Sequence, residues 1–187
     1  MWRVAFRGYP PFFRFEGVKR NMKVIVCDQS TRCSGWAYFC DGEYITSGLV
    51  DMSKSKLDTD ARSFEMAKAL WKVMKKYKPE VLVIEQVQNQ SNTKTVITLA
   101  RLAGMLIGYA EAHGVKTYTI EPAKWRSVLG YQQGPKVKRA ELKQQSLDYA
   151  KEHFGLEVSE DEAEAVCIGA AAHKIYNFSG DDDIWGE

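Results

Sequence analysis

Two apolar runs of this sequence each end in a single carboxylate. Val24–Cys27 leads into Asp28, and Val81–Ile84 leads into Glu85. A charge at the end of a buried strand is costly unless a partner offsets it. If the two strands are parallel and adjacent, both acids emerge at the sheet edge where open α/β folds place their sites. Asp28 has a second interpretation as the cap of the Ser30–Gly35 turn, but the repeated pattern favours a shared cation.

A second pair of acids stands near the end of the chain. Asp161 and Glu164 are three residues apart at the start of a predicted helix, so they share one face. Glu160 is an alternative to Asp161, because it lies four residues before Glu164. Glu162 is expected to serve as the capping partner of Ser159. Carboxylates gathered at one point repel unless cations bind them, and oxygen ligands select Mg²⁺ or Mn²⁺ over zinc.

Hydrophobic periodicity predicts the elements that position these acids. Alternating and apolar runs predict five strands, over Lys23–Asp28, Gly35–Cys40, Tyr44–Val50, Glu80–Glu85 and Val115–Ile120. Helical spacing predicts helices from about Ala61 to Pro79, over Thr95–His113, from Pro122, over Lys136–Phe154 and from Ser159 to Tyr176. In the first of these, Phe64, Ala67, Trp71, Met74 and Tyr77 form the predicted buried face. The order predicts an α/β fold with one mixed five-stranded sheet flanked by helices.

Length and charge set the broad class of the protein. The 187 residues are 45% hydrophobic and 27% charged, with a net charge of +2, which is typical of a globular domain with a real core. Residues 116–143 carry seven basic residues against two acids, whereas residues 157–187 carry nine acids against Lys174. A chain polarised in this way can present a basic face to phosphates although its net charge is small.

Three segments are expected along the chain. Residues 1–21 show neither helical nor strand periodicity and are interpreted as a flexible N-terminal extension, with a DNA-contacting or targeting arm as the alternative. Residues 22–177 form the folded domain. Residues 178–187, which include three consecutive aspartates, are expected to be an acidic disordered tail.

Cysteine spacing and hydropathy point to a reducing, cytoplasmic compartment. The four cysteines fit no zinc pattern and form no Cys-x-x-Cys motif, so no disulfide is expected. The longest apolar candidate for a membrane span, Val96–Ala110, is interrupted by Arg101. We therefore expect no membrane association.

The predicted helix over Thr95–His113 is apolar on most of its sides. It also contains Gly104 and Gly108 in a Gly-x-x-x-Gly spacing, which lets two helices approach closely. This pattern predicts a homodimer in which one face of the helix packs on the sheet and the other on a twin helix. The alternative is a helix that is buried within a single chain.

Several motifs together resemble the RuvC family of Holliday junction resolvases, particularly its phage-type members, within the RNase H-like superfamily. The matching residues are Asp28 with Ser34–Trp36, Glu85–Val87, Gly104, Gly134 with Lys138, and Asp161 to Ala165. The resemblance extends from about Met22 to about Lys174, which is nearly the whole chain apart from its ends.

The resemblance implies an RNase H-like fold and a nuclease that hydrolyses phosphodiesters with two metal ions, Mg²⁺ or Mn²⁺ in its place. The four ligands would be Asp28, Glu85, Asp161 and Glu164, and Lys138 would lie near the scissile phosphate. The resemblance also implies a homodimer that nicks a four-way DNA junction symmetrically. Phage-encoded members of this kind would act in the host cytoplasm.

The chain departs from the family pattern at four places. Gln29–Ser30 replaces a common Pro-Gly, Glu164 replaces the usual aspartate, and Gln88 stands where an aromatic wedge often follows. Trp125 falls at or beside a second basic position, so a neighbouring cation would serve there. The residues predicted to hold DNA phosphates are Lys124, Arg126, Lys136, Lys138 and Arg139.

Two other functions remain open from the sequence. One is a YqgF-like RNA-processing nuclease of the same superfamily, and the other is a non-catalytic DNA-binding scaffold. The presence of all four acids disfavours the scaffold, which should show no Mg²⁺-dependent nicking. The sequence leaves open whether junctions, flaps or replication forks are the preferred substrate.

Overall fold

The computed structural model describes residues 22–88, 92–176 and 178. The predicted extension over residues 1–21 lies outside the described residues, as does nearly all of the predicted acidic tail. Phe178 is described, and its buried ring packs against Tyr118 and His173. The packed domain therefore includes Phe178, one residue beyond the predicted boundary.

A mixed five-stranded sheet forms the centre of the fold. Its strands are β1 (Lys23–Asp28), β2 (Cys33–Cys40), β3 (Glu43–Asp51), β4 (Val81–Glu85) and β5 (Lys116–Ile120). Their order in the sheet is β3-β2-β1-β4-β5. β1 and β2, like β2 and β3, are antiparallel, whereas β4 is parallel to both β1 and β5. The predicted mixed sheet is confirmed, with each strand within two residues of its predicted bounds.

Five helices flank the sheet. They are α1 (Thr59–Tyr77), α2 (Thr93–Ala112), α3 (Pro122–Val128), α4 (Arg139–Phe154) and α5 (Glu160–Tyr176). Asp58 caps α1 by accepting a hydrogen bond from the Ala61 amide at 2.8 Å, and Gly155 ends α4 at φ 67°. α4 begins at Arg139 rather than at the predicted Lys136, because Lys138 has extended backbone at the N-cap.

The alternation of side chains along the sheet produces two separate cores. Val24 and Val26 of β1 face a layer that contains α5 and Trp125 of α3. Ile25 and Cys27 face the opposite layer, which α1 and α2 provide. Successive residues of a strand point to opposite faces, so a sheet covered on both sides has strands that are apolar throughout.

α5 approaches the sheet unusually closely at the end that carries its acids. Gly35 of β2 lies opposite Asp28 in the strand register. A Cβ atom added to Gly35 would collide with the backbone carbonyl of Asp161. The absence of a side chain at Gly35 therefore lets the first turn of α5 lie against the end of β1.

The predicted buried face of α1 is wrong in one part. Phe64 is 56% exposed, whereas Met66, Leu70 and Met74 are buried. These three residues recur at intervals of four, and Phe64 lies two residues before Met66, on nearly the opposite side of the helix. Buried Arg62 takes part in this layer instead and donates to the backbone carbonyls of two loop residues.

Among the described residues, α2 is covered on one side only. Leu102, Leu106 and Ala110 are buried. Gly104 and Gly108 are exposed, and a Cβ atom added to either would meet none of the described residues within 4 Å. Among the described helices, α2 alone is long and apolar enough by composition to cross a membrane. In this fold, its buried residues belong to the core shared with α1.

Candidate metal centre

Three carboxylates meet beside the carboxyl end of β1. Oxygen atoms of Asp28, Asp161 and Glu164 all lie within 4.8 Å of one another. Asp28 is the last residue of β1, and the other two acids lie in the first turns of α5. Their spacing places both on one helix face, and Gly35 allows this face to approach Asp28. We refer to these three residues as the acid cluster.

Glu85 reaches the same cleft from β4, the parallel neighbour of β1. Its Oε1 accepts a hydrogen bond from Trp125 Nε1 at 2.8 Å. Its backbone carbonyl accepts one from Gln29 Nε2 at 2.6 Å. The buried Trp125 therefore fixes the Glu85 carboxylate at the edge of the acid cluster.

In the described part of the chain, two cations are paired with these acids. Arg126 Nη2 lies 3.5 Å from Glu164 Oε1 and 3.9 Å from Glu85 Oε1, so the guanidinium spans both carboxylates. Lys143 Nζ lies 3.2 Å from Asp161 Oδ1. The two cations offset only part of the negative charge that the four carboxylates carry when ionised.

Burial raises the pKa values of three acids in the cleft, Asp28, Glu164 and Glu85. Burial raises the pKa of Asp28 well above its usual value, and the charges of Glu164, Glu85 and Asp161 raise it further, while Lys143 opposes the shift. Burial, followed by the charge of Glu85, raises the pKa of Glu164. Burial also raises the pKa of Glu85, although its hydrogen bond and nearby cations oppose the change. A bound cation would stabilise the ionised form of all three acids.

An open cleft of about 590 Å³ lies over the acids. All four predicted metal ligands line it, together with the turn after β1, the segment after β4 and the start of α4. A cleft at the carboxyl ends of parallel strands is where α/β folds commonly bind their ligands. The acids therefore line an open cleft rather than a closed cavity.

Comparison with known proteins assigns the chain to a family. The sequence profile of the family described as "Crossover junction endodeoxyribonuclease RuvC" matches residues 37–168, which is more than half of the chain. The chain belongs to the RuvC family. This confirms the predicted family and the class of enzyme that its description names.

Individual RuvC proteins show the extent of the similarity. RuvC from Syntrophomonas wolfei is 27% identical over 115 residues, which are 59% of this chain and 66% of that protein. RuvC from Caldanaerobacter subterraneus is 30% identical over 117 residues, which are 59% of this chain and 69% of that protein. The chain thus matches about two thirds of the length of these relatives.

The fold is similar to that of a solved RuvC structure. The structure titled "T. thermophilus RuvC in complex with Holliday junction substrate" superposes with a TM-score of 0.66 at 16% identity, covering 85% of this chain and 96% of that one. This confirms the predicted RNase H-like fold.

The RuvC profile covers most but not all of the site. The match begins at residue 37, so it includes Glu85, Asp161 and Glu164 but not Asp28. The assignment of Asp28 to the site therefore depends on the geometry, in which β1 lies between β2 and β4 and ends at the acid cluster.

The donor atoms fit a hard divalent cation. The acid cluster offers carboxylate oxygens alone, which suits Mg²⁺ or Mn²⁺ rather than zinc. The raised pKa values of Asp28 and Glu164 mark them as buried acids whose charge the nearby cations compensate only in part. The departure from the family at Glu164, where aspartate is usual, still places an oxygen in the cluster.

The structure distributes the predicted DNA-contacting residues unevenly. Arg139 lines the cleft, and Arg126 lines it while pairing with the acids. Lys136 and Lys138 are exposed on the segment that leads into α4. Lys124 is exposed too, but its ammonium lies over the ring of Tyr176 at 5.9 Å. Lys124 is therefore not among the residues that line the cleft, and Arg126 is the cation beside Trp125 that reaches the acids.

Sequence reasoning missed two residues that hold the acids in place. Trp125 was considered only for its position in the family pattern, although a buried tryptophan needs a partner for its N–H group. Lys143 is not among the predicted site residues, although it follows the predicted phosphate contact Arg139 by one helical turn and therefore shares its face. Helical spacing alone was therefore enough to predict that Lys143 lies on the same side of its helix as Arg139, which lines the cleft.

The predicted role of Glu162 is only partly right. Its amide donates to Ser159 Oγ at 3.4 Å, as an N-terminal cap requires. Its carboxylate accepts a hydrogen bond from Ser47 Oγ on β3 at 2.6 Å, rather than returning to the start of the helix. Ser47 also hydrogen-bonds with the Tyr44 hydroxyl at 2.8 Å. Docking against β3 gives Glu162 a tertiary partner, so it ties the first turn of α5 to the sheet.

Proposed function

We propose that this chain is a metal-dependent, structure-selective endonuclease that nicks branched DNA such as Holliday junctions. The observation that carries the proposal is the convergence of Asp28, Asp161 and Glu164 in an open cleft, in a chain of the RuvC family. The solved relative with a similar fold is described as a complex with a Holliday junction substrate. The function is therefore DNA recombination, repair or debranching.

The metal site comprises Asp28, Glu85, Asp161 and Glu164 and takes two Mg²⁺ ions, for which Mn²⁺ can substitute. When bound, the ions supply Lewis-acid chemistry that activates water and stabilises the leaving 3′-oxygen. Trp125 orients the Glu85 carboxylate through its 2.8 Å hydrogen bond. β1 and α5 hold the remaining oxygens together before the metal arrives, which lowers the entropic cost of binding.

Basic residues around the cleft bind the phosphate backbone. Arg139 lines the cleft, and the exposed Lys136 and Lys138 precede it along the chain. Lys138 offsets the charge that develops on the scissile phosphate. Contacts of this type read the shape of the DNA rather than its sequence, and they weaken steeply as salt concentration rises.

The enzyme acts as a homodimer through the uncovered face of α2. Gly104 and Gly108 leave space for a close helix approach, and Phe64 and Ile97 are exposed apolar side chains on α1 and α2. A two-fold dimer presents two active sites to the two strands of a junction. The enzyme works in the cytoplasm, which agrees with its four free cysteines.

A parallel cleavage assay tests the proposal. Labelled four-way, three-way, flap and linear duplex DNA should be incubated with the protein in Mg²⁺ and in EDTA, alongside a structured RNA. We expect Mg²⁺-dependent nicking of branched DNA and little cleavage of the linear duplex. Asp28→Asn should abolish nicking but retain junction binding, because basic residues make the phosphate contacts.

Glu157→Gln is the matched control, since Glu157 is an exposed acid paired with Lys151 away from the cleft. It should nick as the wild type does. Full activity of the Asp28→Asn protein would contradict the metal assignment. Preferential cleavage of RNA would favour an RNA-processing role, and DNA binding without any nicking would favour a scaffold.

A further inference from the structure

Lys143 connects the acid cluster to a carboxylate outside it. Its Nζ lies 3.2 Å from Asp161 Oδ1 and 2.7 Å from Glu160 Oε2. The Lys143 side chain is only 18% exposed, whereas that of Glu160 is 54% exposed. An ammonium held between two carboxylates on a largely buried stem is more restrained than an ordinary surface ion pair.

The position of Lys143 follows from the way α4 packs. Ser146 and Ala150 of α4 are buried, and Arg139 and Leu142 line the cleft. Lys143 belongs to the same side of the helix, three residues before Ser146 and four after Arg139. The packing of α4 thus places the Lys143 ammonium beside the first turn of α5.

Lys143 and a metal ion would require the same carboxylate. Among the described residues, Lys143 and Arg126 are the only cations with a nitrogen within 4.0 Å of the four predicted ligands. Of the two, only Lys143 pairs with Asp161, and its second carboxylate, Glu160, is not one of the four predicted ligands, whereas both carboxylates of Arg126 are.

We propose that Lys143 is an internal counter-cation of the metal centre. Before metal binds, it holds Asp161 and offsets the repulsion within the acid cluster. When metal binds, Lys143 releases Asp161 and remains paired with Glu160. This inference rests on the proposed function, because it requires the acid cluster to bind Mg²⁺.

A counter-cation and a residue that merely orients Asp161 have opposite effects on metal binding. The positive charge of a counter-cation opposes metal binding, so its removal should strengthen metal affinity while destabilising the metal-free protein. Removal of a residue that merely orients Asp161 should lower both the metal affinity and the stability of the metal-free protein. The sign of the change in metal affinity therefore separates the two roles without any measurement of cleavage.

The test compares Lys143→Met with the wild type by two measurements. Titration calorimetry with Mg²⁺ and with Mn²⁺ should show affinity that is about threefold tighter or more in the variant. Thermal unfolding in EDTA should show a Tm that is lower by roughly 2–4 °C. Lys143→Gln is the second variant, because it keeps a hydrogen-bond donor without the charge. It should also bind metal more tightly, with a smaller loss of Tm.

Lys151→Met is the matched control on the same helix. Lys151 pairs with Glu157 at 2.9 Å, and its side chain is 69% exposed. This variant should change neither metal affinity nor Tm. Unchanged or weaker metal binding in the Lys143 variants would overturn the counter-cation role while leaving the nuclease proposal intact. A wild-type protein that binds no more metal than Asp28→Asn does would overturn both proposals.

Discussion

Helices α5 and α2 lie on opposite faces of the sheet and differ in how much of their surface the chain itself covers. Nine of the 17 residues of α5 are buried, against four of the 20 residues of α2. α5 meets the sheet so closely that side chains at Gly35 and Gly169 would collide with their neighbours. The glycines of α2 face open space. Close packing fixes the acids on α5, whereas α2 keeps an exposed surface, which the proposed dimer would cover.

Glycine therefore serves opposite purposes at the two helices, in β2 beneath α5 and within α2 itself. Gly35 removes a steric barrier within the chain, and any atom added there must move backbone. Gly104 leaves a surface open, and an added Cβ atom meets nothing within 4 Å in the described part of the chain. Adding a side chain at Gly35 and at Gly104 therefore compares the packing at the two helices directly.

The largest effect is expected from Gly35→Ala. The new Cβ atom would collide with the Asp161 carbonyl, so the first turn of α5 must move away from Asp28. We expect a loss of about 2–3 kcal/mol in the free energy of unfolding, measured by urea denaturation, together with weaker Mg²⁺ binding. Gly104→Ala is the control on the opposite face and should be neutral or stabilising by up to about 1 kcal/mol. Equal stability of Gly35→Ala and Gly104→Ala would contradict the conclusion that α5 is closely packed at Gly35 while α2 is open at Gly104.

The second effect concerns the open face. Gly104→Leu should leave the fold of the monomer intact but raise the dimer dissociation constant about tenfold or more, a change of about 1.4 kcal/mol. Paired nicking of a junction should then decay into single, uncoupled nicks. Sedimentation across a concentration series measures the association, with Lys151→Leu as a control that adds a leucine to the opposite layer. A wild-type monomer at micromolar concentration that still makes paired nicks would rule out this interface.

A third experiment measures how much the buried charge of Asp28, at the end of β1 beside α5, destabilises the metal-free protein. The pKa of Asp28 is raised in the folded protein, so its ionisation favours the unfolded chain. Removing the charge with Asp28→Asn should therefore stabilise the metal-free protein at neutral pH. Relative to the wild type, the gain should be small below the usual pKa of 3.8 and should grow as pH rises above it.

Thermal unfolding in EDTA at a series of pH values checks this sign. Asp60→Asn is the control, because Asp60 is exposed near α2 and pairs with Arg101 at 3.4 Å. Excess Mg²⁺ should reverse the order of Asp28→Asn and the wild type, since only the wild type retains the full set of ligands. If the stability difference between Asp28→Asn and the wild type became smaller as pH rises, the raised pKa of Asp28 would be contradicted.

The smallest effect is expected from the hydrogen bond that ties α5 to β3. Glu162→Ala removes the 2.6 Å contact with Ser47 and should cost about 1 kcal/mol. Glu65→Ala removes an exposed ion pair with Lys68 on α1 and should cost less than about 0.5 kcal/mol. Chemical denaturation of both variants measures the contrast. An equal or larger cost for Glu65→Ala would contradict the tertiary role of Glu162.

The sequence by itself determined the sheet, the strand ends and the grouping of acids. Apolar runs that end at Asp28 and Glu85 indicate two buried strands, and the condition that they be parallel neighbours is met by β1 and β4. The spacing of Asp161 and Glu164 indicates one helix face. These inferences succeed because strand and helix periodicity are local properties of the chain.

Only the tertiary structure decided which side chains hold those acids. Trp125 is 40 residues from Glu85, Lys143 is 18 from Asp161, and Ser47 is 115 from Glu162. Phe64 was misplaced for a related reason, since the buried stripe of α1 depends on how the helix rotates against the sheet. Local patterns specify which elements form, but contacts between distant residues depend on how those elements dock, and docking is set by close packing at positions such as Gly35.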